Sequence, residues 1–448
     1  MVGVTLTMPW RSGPPNRLPQ LDDPYESRGP VPRTPGQIVV RGRVVTPSQL
    51  LEDGLVVARE GLIAWVGPTQ DAPPDVTVPA HDDAMTVLPG LVDLHCHGGG
   101  GASFPGALDA ETARTAVQEH QRHGTTTLVA SLVTAAAESL LERTALLADL
   151  ADAGEVAGIH LEGPFLSPRR CGAQDPSFMR PGDPELVGTL VAAARGHLVT
   201  MTIAPEVAGV LGVDGVIALL AEQGVIPSIG HTDGSAEVTE RGLAQAWQAL
   251  RGPGHRSRRP TVTHLFNGMP PLHHREPGPV PACLAAAARG EAVVELVGDG
   301  VHLAGATVRA VFDLVGAQGI ALVSDAIAAA GMPDGAYQLG ALAVRVEDGV
   351  ARSAEDGAIA GGTAHLLDVV RWTVGVGVSL VDAIRSAATT PAKVLGRPDV
   401  GALIAGRRAD LVLVDAALSP IAVLRRGRWT TDPSVPDQDD PRRSEPVR

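Results

Sequence analysis

The sequence predicts an α/β protein in which a closed parallel barrel of eight βα units lies beside a small β-sheet domain. Three observations support this prediction. Short apolar segments alternate with Ala-rich helical segments through the middle of the chain, and β-type segments flank that region on both sides. Several apolar segments also end in a histidine or a carboxylate, as expected where barrel strands open onto a functional site.

The barrel region contains eight predicted strands that begin about 25 to 45 residues apart, which leaves room for one helix after each strand. An open doubly wound sheet is the alternative, but no GxGxxG turn follows an early strand. The predicted strands are 91–95, 125–130, 158–163, 199–206, 225–231, 261–267, 293–300 and 320–325.

Segments near both ends of the chain predict the small domain. QIVVRGRVV, GLVVAREGLIAWVG and MTVLPGLVDLH are β-type runs separated by Gly and Pro, which favours a small antiparallel sheet, and ADLVLVD and SPIAVLRRGRWT resemble them. We therefore assign 37–90 and 396–430 to one domain and 91–395 to the barrel. Residues 1–36 and 431–448 lack periodicity and are predicted to be disordered.

Composition excludes several classes of function. The net charge of −14 argues against nucleic acids and anionic membranes as partners, since both require a basic surface, but an anionic small substrate needs only a local positive pocket. Three widely spaced cysteines imply no disulfide framework. We expect a cytoplasmic protein, because there is no signal-type N-terminus and no apolar run of about 18 residues.

Ionisable residues stand at the ends of several predicted barrel strands. Such groups are expensive to bury unpaired, so a set that meets at one barrel mouth requires an ion or mutual pairing. The alternative is that each residue caps its strand separately. The set comprises His95 and His97 on the first strand, Glu162 on the third, His231 on the fifth, His264 on the sixth and Asp325 on the eighth.

Four imidazoles and a carboxylate favour zinc, iron or another borderline divalent metal, with one or two ions per subunit. Two positions are compatible with the spacing: one formed by His95, His97 and Glu162, the other by Glu162, His231 and His264. Glu162 would bridge them, because the only lysine, at position 393, lies beyond the barrel strands and cannot supply a carbamate.

Asp325 remains after these ligands are assigned. A carboxylate beside a metal-bound water is placed to accept its proton and later to deliver it to a leaving group. The predicted chemistry is therefore hydrolysis, with Asp325 as the catalytic acid and base.

Six segments, in this order along the chain, are together similar to a known family. They are GLVDLHCHG, GIHLEGPFLSP, SIGHTDG, THLFNGMPPLHHREPG, GDGVHLAG and LVSDAIAAAG. The chain resembles the N-acetylglucosamine-6-phosphate deacetylases of the metal-dependent amidohydrolase superfamily, from about Gln37 to Trp429. The resemblance implies a (β/α)8 TIM barrel beside a small β-sandwich, usually in a homodimer.

The matching motifs imply residue roles. Glu162, His231 and His264 match the principal metal ligands and Asp325 matches the acid/base. His95 and His97 match a second metal position that only some members keep.

Other matches concern the substrate. Asn267 and Gly268 match the contacts to the sugar phosphate, and His302 matches a further substrate-binding position. Arg275 resembles the arginine that reaches the neighbouring subunit's substrate. Ala173 and Gln174 fall in a predicted substrate-binding loop, where the family usually has GAHDP and its histidine contacts the acetyl carbonyl. Gln174 can donate an N–H to that oxygen but cannot become a cation.

The expected function is metal-dependent hydrolysis of N-acetyl-D-glucosamine 6-phosphate to glucosamine 6-phosphate and acetate, in amino-sugar metabolism. One alternative is a deacetylase for the galactosamine epimer or another amidohydrolase, such as a cyclic-amide hydrolase. An alternative of a different class is a catalytically impaired protein that binds amino-sugar phosphates, and Gln174 is the feature that favours it. The histidines at 120, 123, 160 and 365 receive no role.

Overall fold

The computed structural model describes residues 36–431. The disorder predicted for 1–36 and for 431–448 falls, apart from residues 36 and 431 themselves, outside the described residues.

The described chain consists of twenty strands and ten α-helices, with short 3-10 turns and one π-helical turn at Arg385–Thr389. The strands are β1 (Gln37–Val45), β2 (Leu50–Arg59), β3 (Leu62–Pro68), β4 (Thr86–Pro89), β5 (Leu91–Cys96), β6 (Gly98–Gly99), β7 (Ala102–Ser103), β8 (Thr125–Val133), β9 (Gly158–Glu162), β10 (Leu198–Ile203), β11 (Ile226–Ile229), β12 (Thr261–Val262), β13 (Val293–Leu296), β14 (Ile320–Leu322), β15 (Gly335–Leu339), β16 (Leu342–Glu347), β17 (Val350–Ser353), β18 (Leu411–Val414), β19 (Pro420–Arg425) and β20 (Arg428–Thr431). The helices are α1 (Ala110–Arg122), α2 (Ala137–Asp152), α3 (Pro184–Ala193), α4 (Val216–Glu222), α5 (Ala236–Ala249), α6 (Val280–Ala288), α7 (Gly305–Val315), α8 (Leu366–Gly375), α9 (Leu380–Ile384) and α10 (Thr390–Val394).

The central sheet contains the eight predicted barrel strands. Its hydrogen-bonded order runs from β14 through β13, β12, β11, β10, β9 and β8 to β5, and every pair is parallel. The first and last strands meet through three backbone hydrogen bonds: Asp325 N–H donates to the His95 carbonyl at 3.0 Å, and the N–H groups of His97 and Gly98 donate to the Ala326 carbonyl at 2.7 Å and 3.0 Å. We call this contact the barrel seam. The predicted (β/α)8 barrel is confirmed.

Two layers of side chains fill the barrel. The lower layer is apolar and packs against Ala392 and Val394 near α10; it comprises Val92, Val129, Val199, Ile226, Val293 and Ala321. The residues two positions further along several strands are polar. This polar layer comprises Ser131, His160, Thr202, Ser228, Thr263 and Glu295, all buried. Because a barrel interior is a packed core, polar groups at this depth form hydrogen bonds with one another.

Five of the predicted strands end two or more residues earlier than expected: β10 and β13 stop at Ile203 and Leu296, and the other three stop close to a predicted site residue. Sheet pairing stops at Ile229, Val262 and Leu322, although the predicted strands continue to 231, 267 and 325. The chain leaves the extended conformation just before the polar residue that each prediction placed at the strand end.

Both ends of the described chain build the second sheet, whose order is β20-β19-β18-β4-β1-β2-β3. Its core combines Val44 and Val56 with Leu411 and Leu424. The opening segment was predicted to be antiparallel throughout, which is wrong for one pair: β1 and β4 are parallel, because a longer connection through β2 and β3 separates them. The domain boundaries stay predictions.

The sequence analysis did not predict a three-stranded antiparallel sheet, β15 to β17. Its apolar face, with Leu339, Val344 and Val346, packs against Val133 and Ile327 beside the barrel mouth. None of the helices in the described part of the chain has the length and apolar character that crossing a membrane requires.

Candidate metal centre

The six ionisable residues predicted at the strand ends all lie at the carboxyl end of the barrel. Ligand atoms of His95, His97 and Glu162 fall within 4.8 Å of one another, and those of Glu162, His231 and His264 form a second such group. All five residues are buried. The structure therefore brings together both of the triads expected from the sequence, with Glu162 common to the two.

Each oxygen of Glu162 faces a different triad. Glu162 Oε1 lies 2.9 Å from His231 Nε2 and 2.9 Å from His264 Nε2. Glu162 Oε2 lies 3.1 Å from His97 Nε2 and 3.7 Å from His95 Nε2. Burial alone would raise the pKa of Glu162, but the surrounding imidazoles, those of His95 and His231 foremost, hold it well below its usual value. A bridging carboxylate has this geometry and charge.

Hydrogen bonds at the outer nitrogens fix the orientation of three of the four imidazoles. A carbonyl or carboxylate oxygen can only accept, so each Nδ1 carries the proton and a neutral ring turns the Nε2 lone pair towards the site. The acceptors are Glu295 Oε2 for His95 at 3.2 Å, the Ser131 carbonyl for His97 at 3.3 Å and the Arg170 carbonyl for His231 at 2.6 Å.

This orientation tests whether the residues suit a metal. The Nε2 atoms of His95 and His97 are 3.0 Å apart, and those of His231 and His264 are 3.1 Å apart. Two lone pairs at that distance repel one another unless one ring gains a proton or a cation accepts both. Nitrogen and carboxylate donors in groups of three suit zinc or iron and suit calcium or magnesium poorly. The residues fit a transition-metal centre.

The backbone is strained where it delivers three of these side chains. His231, His264 and Asp325 have positive φ angles of 45°, 25° and 48°. Side chains with a Cβ rarely adopt this region, and each such residue costs about 1–3 kcal/mol. These positive φ angles fall just beyond the ends of β11, β12 and β14, where the chain turns and sheet pairing has stopped.

Asp325 lies between the two histidines of the first triad. Its Oδ1 is 3.4 Å from His95 Nε2 and 3.4 Å from His97 Nε2. Although burial opposes ionisation, the neighbouring imidazoles of His95 and His97 keep the pKa of Asp325 far below its usual range. An ionised carboxylate at the mouth of the site can accept a proton from a water molecule there.

Gln174 forms two hydrogen bonds inside the site. Its side-chain Nε2–H donates to Glu162 Oε2 at 2.6 Å, and its Oε1 accepts the Thr134 backbone N–H at 2.7 Å. The N–H of Thr134 fixes which end of the amide carries oxygen, because a flipped amide would oppose two donors. Gln174 therefore holds the central carboxylate, a partner that the sequence analysis did not foresee. Its neighbour Ala173 packs beside the β15–β17 sheet.

The predicted contacts to the sugar phosphate lie close to the second triad. The side chain of Asn267 donates to the His264 carbonyl at 3.1 Å. Gly268 has φ +60°, and a Cβ there would lie 2.8 Å from His231 Nδ1, so only glycine fits beside that ring.

His302 and Arg275 have contrasting surroundings. His302 is buried, and its Nδ1 pairs with Asp299 Oδ2 at 2.8 Å. Burial disfavours its charged form, but this carboxylate raises the pKa of His302 above its ordinary value. Arg275 is exposed on the loop between β12 and α6, and its guanidinium forms no ion pair within residues 36–431.

Comparisons with known proteins agree with this geometry. A model of the amidohydrolase family matches residues 86–435. The chain belongs to the amidohydrolase family. Members of this family depend on metal ions, and the two triads are candidate ligand groups in this amidohydrolase.

Curated relatives with high coverage fall into two groups. An N-acetylglucosamine-6-phosphate deacetylase of Bacillus subtilis (strain 168) is 31% identical over 403 residues, which cover 86% of this chain and 94% of the relative. An N-acetylgalactosamine-6-phosphate deacetylase of Escherichia coli O157:H7 is 33% identical over 383 residues, covering 84% and 94%. The predicted resemblance to amino-sugar-phosphate deacetylases is confirmed.

Solved structures extend the likeness to the whole fold. A mutant N-acetyl-D-glucosamine-6-phosphate deacetylase of Mycobacterium smegmatis, in complex with N-acetyl-D-glucosamine-6-phosphate, superposes with a TM-score of 0.81 at 40% identity, covering 89% of this chain and 100% of that one. The corresponding deacetylase of Thermotoga maritima gives 0.74 at 29% identity, covering 88% and 99%.

Sequence reasoning missed Glu295, on β13 of this amidohydrolase. It accepts from His95 and reaches the second triad as well. The segment VVELV is an apolar strand with one carboxylate, and no local pattern shows that this side chain points into the barrel beneath two triads.

A further donor group lies away from the barrel mouth. Ligand atoms of Glu119, His123 and His365 fall within 4.8 Å of one another. The two imidazoles stack 3.6 Å apart at 11°, so their in-plane lone pairs lie in parallel planes and do not converge on one ion. Glu119 instead pairs with Arg122, and this group links α1 to the start of α8.

Proposed function

We propose that this amidohydrolase hydrolyses the acetamide of N-acetyl-D-glucosamine 6-phosphate, releasing acetate and glucosamine 6-phosphate. The observation that carries the proposal is the pair of histidine triads sharing Glu162, with an ionised Asp325 beside them. Relatives and structural neighbours named for this reaction support the choice of substrate. The proposed setting is a cytoplasmic homodimer.

The proposed metal is zinc, with Glu162, His231 and His264 at one position and His95 and His97 joining Glu162 at the other. Iron is the alternative, because the same donor set binds it. When bound, the ion polarises the acetyl carbonyl and lowers the pKa of the attacking water to about 7.

In this proposal Asp325 moves the proton. Its carboxylate accepts a proton from the attacking water as the new C–O bond forms. It then returns that proton to the sugar nitrogen as the C–N bond breaks, so that an amine rather than an amide anion leaves. The low pKa of Asp325 keeps the carboxylate ionised, as the first step requires, and makes the protonated carboxyl a ready proton donor for the second step.

The phosphate is the proposed anchor of the substrate. Asp299 raises the pKa of His302, which favours a charge-assisted donor there, and Asn267 and the Gly268 backbone are the other proposed contacts. Arg275, exposed and free of ion pairs among the described residues, would reach the phosphate bound by the partner subunit. His302 and Arg275 would supply the local positive charge that an anionic substrate needs on an acidic protein.

A galactosamine-epimer activity is the second candidate. The Escherichia coli relative named for it is 33% identical over 84% of this chain, which is similar to the 31% over 86% of the Bacillus subtilis glucosamine enzyme. The two sugars differ at one hydroxyl, and a site built to bond that hydroxyl discriminates strongly between them.

The test is acetate release by the zinc-reconstituted protein from both 6-phosphates and from unphosphorylated N-acetylglucosamine. We expect fast release from the glucosamine phosphate ester alone. Asp325→Asn should lower kcat about 10²–10⁴-fold with metal content unchanged. Asp356→Asn, which removes an exposed carboxylate that caps its own turn, is the matched control.

Each other outcome has a definite meaning. Faster release from the galactosamine ester would replace the first substrate with its epimer, and equal rates with and without phosphate would remove the phosphate pocket. Near-normal turnover by Asp325→Asn would remove its acid/base role. Tight binding of the sugar phosphates without acetate release, with zinc bound, would favour a binding protein and contradict the proposal.

A further inference from the structure

Glu295 is a buried carboxylate to which neither the sequence motifs nor the proposed mechanism gives a task. It sits on β13 with its side chain 2% exposed, in the polar layer directly beneath the two triads. We propose that Glu295 is a positioning residue that makes the His95/His97 position a retained metal site, so that the enzyme works with two ions. This inference rests on the proposed metal-dependent function.

One oxygen atom of Glu295 contacts a residue of each triad. Glu295 Oε2 lies 3.2 Å from His95 Nδ1, and it accepts the backbone N–H of His264 at 3.3 Å. His95 belongs to the first triad and His264 to the second, so a single atom links the two. Its bond to His95 fixes the tautomer that directs Nε2 towards the ion and raises the basicity of that nitrogen.

The second bond addresses the strain at His264. That residue has φ +25°, and its backbone N–H is buried beside Glu295. A buried amide without an acceptor costs about 1–3 kcal/mol. Glu295 supplies the acceptor. The same carboxylate therefore stabilises the turn at His264 in one triad and the ring orientation of His95 in the other.

Packing alone does not account for a carboxylate at this place. Neighbours in the polar layer, Thr202, Thr263 and Ser228, satisfy one another with hydroxyl groups at 2.6–2.7 Å. A buried carboxylate without opposite charge is far more costly than a hydroxyl. Two divalent ions bring four positive charges, and Glu162 with Asp325 offsets two. Glu295 supplies a third negative charge, which a one-ion site does not need.

The experiment counts zinc. The full chain is loaded with Zn²⁺, freed of excess metal, and analysed for zinc per chain by plasma mass spectrometry. Zinc release to a coloured chelator then resolves tightly and weakly held ions. We expect two ions in the parent protein. In Glu295→Gln one of them should bind about 10–100-fold more weakly, and in Glu295→Leu that ion should be absent.

Glu119→Gln is the matched control. Glu119 is also a buried carboxylate that pairs with a histidine, His365 Nε2 at 2.9 Å, but it touches neither triad. It should keep both ions. Circular dichroism reports whether each variant is folded, and Glu295→Gln carries the test if Glu295→Leu does not fold.

The outcomes separate the two proposals. A parent protein that binds no zinc contradicts the metal-dependent function itself. Two ions released alike by the parent and by Glu295→Gln would leave the function standing and overturn the role of Glu295. A single ion in the parent, or loss of both ions from folded Glu295→Gln, would also overturn it.

Discussion

Replacing Gln174 with Leu removes two hydrogen bonds from the centre of the site while roughly preserving volume. The buried N–H of Thr134 loses its acceptor, which costs about 1–3 kcal/mol, and Glu162 loses a charge-assisted donor, which is worth about 1.5–3 kcal/mol. We therefore expect Gln174→Leu to destabilise the metal-free protein by about 3–5 kcal/mol. The loss should shrink with zinc bound, because the ion then compensates the charge of Glu162.

The assay is urea denaturation followed by circular dichroism, in chelator and in zinc. Gln245→Leu is the control, because Gln245 also makes two hydrogen bonds, to the backbone N–H and carbonyl of Gly212, but at an exposed position where water replaces them. A Gln174→Leu midpoint in chelator no lower than that of Gln245→Leu would refute the reasoning. The predicted contact of Gln174 with the acetyl carbonyl is a separate expectation that this assay leaves standing.

Three further predictions concern the residues proposed to contact the substrate, or their neighbours. Gly268→Ala should weaken zinc binding, because its Cβ would meet His231 Nδ1 at 2.8 Å; atomic absorption measures the loss. Asp299→Asn should raise KM for the phosphate ester at alkaline pH. Asp299 raises the pKa of His302, so the imidazolium charge is present below that pKa and lost above it. The variant should therefore lose the His302 charge at a lower pH than the parent protein, which a profile of KM against pH measures. Arg275→Ala should raise KM about tenfold or more, from loss of a charged hydrogen bond of about 1.5–3 kcal/mol, in acetate-release assays.

Each of these has its own check. Gly188→Ala adds a methyl group on α3 with no atom within 4 Å and should leave zinc binding unchanged. Asp299→Asn should leave KM for the unphosphorylated sugar unchanged. A change in that KM would indicate that His302 does not act on the phosphate. Mixed dimers of Arg275→Ala with Asp325→Asn should regain part of the activity; if they do not, Arg275 acts within its own subunit.

The barrel strands were predictable because both faces of a parallel strand are buried, so each appears as a short apolar run. The polar strand ends were equally visible, since His95 and His97 interrupt an apolar pattern. Contacts that depend on the closed barrel were not predictable from the sequence. Glu295 looks like one carboxylate in an apolar strand, and its partners His95 and His264 lie on other strands. The turns at His231 and Asp325, where φ becomes positive, leave no local signature because neither residue is glycine.

Gln174 illustrates a different limit. The matching loop motif predicted that the residue faces the substrate, and the chain does bring it to the site. Its orientation is set by Thr134, forty positions earlier. Likewise, β15 to β17, which follow the last barrel strand, were not predicted, because a short hairpin sheet needs support from an apolar surface that the sequence pattern does not display.

The barrel seam joins the first and last strands through the backbone of the residues that also form the site. His95 accepts from Asp325, and His97 donates to Ala326. We therefore expect a chain that is still being synthesised to be inactive, because Asp325 joins the site only when the final strand docks. Turnover thus reports completed folding, and a variant that loosens this junction should lose activity before it loses its helices.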